Sequence, residues 1–112
     1  MLQTALQRGE PDAPAVRVAF FRTLDAVGSD HERGRVLSAL ATRDALGGET
    51  VRALLASAQR IGSDHEKAAV LLAVATRPEW LRDTSSRAAF DAALESIGSD
   101  SEYRRVANVF AR

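Results

Sequence analysis

Cysteine is missing from all 112 positions, so neither a disulfide framework nor a thiolate metal site can organise the chain, and the redox compartment stays open. Aromatic residues make up only 5%, and β-branched or aromatic runs are too few to support strands. An excess charge of one sign is lacking too: fifteen Lys plus Arg stand against fifteen Asp plus Glu, a formal net charge of zero. No global field therefore draws the chain to nucleic acid or to an anionic membrane, and any such affinity has to be local. No apolar run approaches the roughly 20 residues that span a bilayer, and Met1-Leu2-Gln3-Thr4 lacks the basic-then-apolar opening of a signal peptide. No membrane insertion by this segment is expected, and the compartment, cytoplasmic or extracytoplasmic in a bacterium, is left open.

What is present is enough to fold. Hydrophobic residues are 46% and charged residues 27%, an ordinary balance for one globular domain of this length. Abundant Ala and Arg favour helices. A self-similar phrase then sets the organisation: Val27-Gly28-Ser29-Asp30-His31-Glu32, Ile61-Gly62-Ser63-Asp64-His65-Glu66 and Ile97-Gly98-Ser99-Asp100-Ser101-Glu102. Its glycines lie 34 and then 36 residues apart. Each copy follows an apolar stripe of helical period: Phe20, Leu24, Val27; Leu54, Ala58, Ile61; Phe90, Leu94, Ile97. Each precedes a second apolar segment, beginning at Val36, Val70 and Val106. The unit reads as helix A, a turn, helix B, with repeats at about 13–43, 48–77 and 85–112. Residues 1–8 align with the tail of an earlier helix B, so the chain reads as a piece of a longer repeat protein, all within one domain spanning 1–112.

The turn has a mechanical reading. Glycine after the last apolar residue of helix A is expected to take the left-handed conformation that closes a helix. Ser29, Ser63 and Ser99 then stand as N-caps with Glu32, Glu66 and Glu102 three residues on, the Ser-x-x-Glu pattern of a reciprocal capping box. Asp and Glu in the first turn suit the helix dipole.

Helix pairs at this period resemble the HEAT-like α-solenoid class. More narrowly, Gly62-Ser-Asp-His-Glu-Lys-Ala-Ala-Val-Leu-Leu-Ala73 resembles the Ser-Asp-(Tyr/His)-Glu-Lys-x-x-Val-Leu repeats of bacterial proteins, often in extracytoplasmic tails of membrane metallopeptidases of the β-lactam-sensor type. The resemblance covers nearly the whole chain and implies a fold rather than an activity. The third copy departs from it: Ser101 and Tyr103 stand where the second has His65 and Lys67, and Ala107-Asn108 replaces Leu71-Leu72. That weakens its core and marks a divergent, terminal repeat.

Several chemistries can be weighed against plainer roles. His31-Glu32 and His65-Glu66 suggest a zinc-peptidase helix, but that chemistry needs a second histidine four residues on; Arg35 and Ala69 stand there. The turn serines recur three times beside no fixed base, whereas an active site is needed once. Neither a cofactor nor catalysis is expected. Arg33, Arg35, Lys67, Arg104 and Arg105 fall on successive B helices and could line up as a basic ladder for phosphates. Gly34, Ala68 and Ala69 interrupt it, and nearby glutamates favour a solvated, ion-paired face, so nucleic acid is disfavoured. Trp80, the only tryptophan, fits either an interface hot spot or a satellite cluster under a loop. Ser85 or Ser86 is placed to cap the helix beyond it.

The reading is an all-α fold, a right-handed α-α superhelix of about three hairpins, working as a non-catalytic scaffold for a protein or peptide partner. Arg33, Arg35, Lys67, Trp80, Tyr103 and Arg104 are the candidate partner-binding residues. The alternatives are a nucleic-acid-binding solenoid and a regulatory or sensor tail of a larger bacterial membrane enzyme. The expected core is Phe20, Leu24, Val27, Val36, Leu37, Leu40, Leu54, Leu55, Ile61, Val70, Leu71, Val74, Phe90, Leu94, Ile97, Val106 and Phe110. If Ser63 is an N-cap, Ser63→Ala lowers unfolding stability by about 0.5–2 kcal/mol in chemical denaturation; unchanged stability would show that the assignment is mistaken.

Overall fold

A computed structural model describes residues 14–26, 29–43 and 46–110, without the side chains of Arg43 and Phe110. Six α-helices carry these residues: α1 (Pro14–Ala26), α2 (Asp30–Arg43), α3 (Gly48–Gln59), α4 (Asp64–Ala75), α5 (Thr84–Glu95) and α6 (Asp100–Phe110), with a 3₁₀ helix at Pro78–Arg82. No strand occurs among the described residues, and no helix there is long and apolar enough to cross a membrane. The B-type helices α2, α4 and α6 start at Asp30, Asp64 and Asp100, one residue after the turn serine, as the repeat predicts. Residues 1–8, Val27 and Gly28 lie outside the described residues.

The dominant packing is between alternate helices. In one layer α2 lies on α4 and α4 on α6; in the other α1 lies on α3 and α3 on α5. An α-helix with side chains is about 10 Å across, and the molecule's shortest extent is 19 Å, as two layers require. The apolar stripes meet between and within these layers. Leu24, Leu37, Leu40, Leu54, Leu55, Ile61, Val70, Leu71, Val74, Phe90 and Val106 are almost wholly buried. Phe20 and Phe21 are both buried and pack edge to face, ring centroids 5.1 Å apart. Val36, expected in the core, is only partly buried at its margin; Val27 lies outside the described residues, as does the side chain of Phe110.

Two expectations about the turn change. Neither Gly62 nor Gly98 adopts the left-handed conformation. Helices α3 and α5 end instead in right-handed residues, Arg60 and Ser96, and Ile61 N–H and Ile97 N–H donate to Ala58 and Leu94 carbonyls in tightened i→i+3 turns. Such turns satisfy the terminal carbonyls without a glycine. The glycine has another purpose: a Cβ on Gly62 would sit 3.0 Å from Asp30 Oδ2, and one on Gly98 3.5 Å from Asp64 Oδ2. At Gly62 the close approach of a carboxylate of the preceding B helix, rather than backbone handedness, favours glycine; at Gly98 the equivalent carboxylate stands at an ordinary contact distance.

The capping box is half formed. Ser29, Ser63 and Ser99 Oγ accept from the N–H groups of Glu32, Glu66 and Glu102 at 3.3, 3.3 and 3.4 Å, distances at the long end for such bonds. The return half differs, because the N–H groups of Ser63 and Ser99 go to Asp30 and Asp64. For α5 the cap is Asp83 rather than Ser85 or Ser86: its Oδ2 accepts from Ser86 N–H at 3.0 Å and from the Ser86 hydroxyl at 3.1 Å.

This geometry separates two glycines that look alike in sequence. At Gly98 an alanine meets only ordinary contact, so Gly98→Ala is expected to raise stability by about 0.4–1 kcal/mol by restricting the unfolded chain. Gly62→Ala forces the Asp30 carboxylate aside and should lack that gain. Paired thermal melts decide, and equal responses would remove the close-approach explanation.

Candidate functional site

The thrice-used turn is the densest cluster of reactive side chains, and the fold engages it between successive B helices. Asp30, in the first turn of α2, has one carboxylate oxygen bonded by Arg33. The other accepts the N–H groups of Gly62 and Ser63, each at 3.1 Å. One junction on, Asp64 Oδ2 accepts Ser99 N–H at 2.9 Å. Histidine follows the same rule: His31 Nδ1 lies 3.0 Å from Glu66 Oε2, and His65 Nδ1 3.2 Å from Glu102 Oε2. An ionised carboxylate only accepts, so each contact is a hydrogen bond in the tautomer or charge state that places a hydrogen on Nδ1. At the second junction Arg105 Nη1 donates to Glu102 Oε1 at 2.7 Å and stands 3.3 Å from His65 Nδ1. Asp, His and Glu thus form a ladder whose rungs each join two copies of the motif. That pairing was invisible in sequence because its partners lie 32 to 37 residues apart.

Several basic side chains of the B helices are engaged within the protein. Arg33 bonds Asp30 and is largely covered. Lys67 is buried; its Nζ donates to Ser96 Oγ at 2.9 Å and to the Ser96 carbonyl at 3.4 Å. A cation there meets the negative end of the α5 dipole. Arg35 is exposed and pairs with Glu32 at 3.3 Å. Arg104 is exposed, and Tyr103 keeps 38% of its surface accessible.

Trp80 is likewise an internal residue. It is buried in the 3₁₀ helix, and the Arg77 guanidinium lies 4.5 Å from its ring centroid, a cation–π arrangement. Arg77 Nη1 also donates to the Ala41 carbonyl at 2.9 Å, and Nε to Glu79 at 3.2 Å. Trp80 therefore backs an arginine that grips the end of α2. Of the six candidates, Lys67 and Trp80 are buried, Arg33 is largely covered, and Arg35, Tyr103 and Arg104 face solvent.

Among the described residues no group of three or more His, Asp or Glu is close enough to hold a metal ion; the ladder brings its imidazoles and carboxylates together in pairs. Comparison with known proteins brings no match: no family model fits the chain, and no curated protein or solved structure aligns with it.

Three carboxyls are held below their usual range. Asp30 is lowered first by the Arg33 hydrogen bond and then by Gly62 N–H, Asp83 first by Ser86 N–H, and Glu79 first by its own backbone N–H. A carboxyl whose folded pKa is depressed stabilises the fold fully above the ordinary value near 4, and this contribution disappears as pH falls from there through the folded value. The melting temperature should fall on acidification from about pH 4 to pH 2, and more shallowly in Asp30→Asn. The same slope in both proteins would exclude this role for Asp30.

Proposed function

We propose that the chain is a non-catalytic helical-repeat scaffold, a right-handed α-α superhelix of about three HEAT-like hairpins, that binds a protein or peptide partner. One observation carries the reading: residues that would be the reactive part of the repeated motif are engaged in joining one B helix to the next. A side chain committed to a junction has lost the freedom and access that attack on a substrate requires. A repeated scaffold of this kind exposes an extended polar surface while burying its apolar stripe between neighbours, which suits it to binding.

The side chains offered to a partner are those α2 and α6 leave outside, Arg35, Tyr103 and Arg104. Tyrosine and arginine are the residue types that most often anchor interfaces. The guanidinium groups favour a partner carrying carboxylates, and the phenol ring an apolar or aromatic neighbour.

A displayed peptide library, selected on the natural chain, tests this. Acidic peptides with an apolar residue should be enriched, and Arg35→Ala/Tyr103→Ala/Arg104→Ala should weaken them by about tenfold or more. The melting temperature of that variant should hardly move, since exposed substitutions usually change stability by under about 0.5 kcal/mol. No enrichment, or binding indifferent to the three substitutions, sinks the proposal. Tight, steeply salt-dependent binding of duplex DNA at about 50 mM salt would favour the nucleic-acid reading instead.

A further inference from the structure

The two junctions between B helices share a structural station that the third copy of the motif alters. Six residues after the turn glycine, α2 carries Gly34 and α4 carries Ala68. Gly34 is buried, and a Cβ there would stand 2.8 Å from Glu66 Oε1 and 3.3 Å from Glu66 Cβ. Ala68 is wholly buried. At Gly34 the Glu66 side chain of the following helix crowds the place of a Cβ, and at Ala68 no methyl surface is left accessible. In α6 the same position is Arg104, and it is exposed.

We propose that the outer face of α6 is a stop in the stack: Arg104 prevents another hairpin, including one from a second copy of this chain, from seating in the register used at the two junctions. The inference rests on reading the helices as a repeat stack, and it concerns that stack's edge rather than its partner.

Of three neighbouring positions, one keeps the junction chemistry and two support the stop. Asp100 retains the carboxylate that would accept a next turn's N–H groups, and it is exposed. Ser101 replaces the histidine that at both junctions reaches the next glutamate. Asn108 replaces Leu72, whose side chain packs against the core. One rung of the ladder is kept, while the second rung and two packing positions are changed. An incoming glutamate could pair with the Arg104 guanidinium only from farther out than Glu66 stands from Gly34. At that separation Asp100 could not reach the next turn, since the existing contacts close at about 3 Å. Desolvating the guanidinium without its partner in place would oppose docking further.

The test uses a lengthened chain in which residues 77–112 are repeated once after Arg112, in the natural background and with Ser101→His/Arg104→Ala in the original α6. Hydrogen exchange reads whether the added helices are held. They should exchange freely in the natural background and be slowed by at least about tenfold in the variant. Equal protection in both backgrounds overturns the stop while leaving the repeat stack intact. No protection in either overturns the stop and the repeat-stack reading together.

Discussion

At each junction a carboxylate in the first turn of one B helix accepts backbone N–H groups from the turn that launches the next. This contact sets constraints on the rest of the motif. It places the two helix starts side by side, with Asp30 bonded to Gly62 and Ser63, and Asp64 to Ser99. It favours a small residue at Gly62, where a side chain would press on the carboxylate. It also satisfies the serine N–H that the glutamate side chain would otherwise cover, leaving that glutamate to meet a histidine of the preceding copy.

The ladder and the core contribute differently. Fully burying one leucine or phenylalanine is worth roughly 1.5–3 kcal/mol, and a dozen large side chains are almost entirely buried. Exposed ion pairs contribute about 0–1 kcal/mol each, and His31 and His65 keep about two thirds of their side-chain surface in solvent. Apolar packing therefore supplies the stability. The ladder supplies register, because directional contacts near 3 Å are lost in a slip along the helix that a greasy stripe would tolerate. The A layer has a comparable tie, in which Asp25 accepts from the Ser57 hydroxyl at 2.9 Å and pairs with Arg60.

Burial also redistributes the residues that look functional in sequence. Lys67 and Trp80 have the composition of an interface and the position of internal fasteners, one closing the C-terminal end of α5 and the other supporting Arg77 against the end of α2. The exposed candidates, Arg35, Tyr103 and Arg104, are those whose neighbours in the fold do not enclose them. What distinguishes a fastener from a contact residue is the presence of a second helix over it.

Local signals were legible in the chain itself. Helical period, the recurrence of Gly-Ser-Asp and the serine caps are properties of adjacent residues, so the starts of α2, α4 and α6 and the larger part of the core followed from the sequence alone, while Val51, Leu81 and Trp80 join that core without having been expected there. The pairing of Asp30 with Gly62, of His31 with Glu66 and of Arg77 with Ala41 did not, since each joins residues more than thirty positions apart. Those pairings changed the purpose assigned to the glycine and left the capping box half open. Sequence determined which helices form and which faces are apolar because those depend on neighbours along the chain. Tertiary structure decided which polar groups are engaged because two helix starts must meet before a carboxylate can choose between its own backbone and the next one.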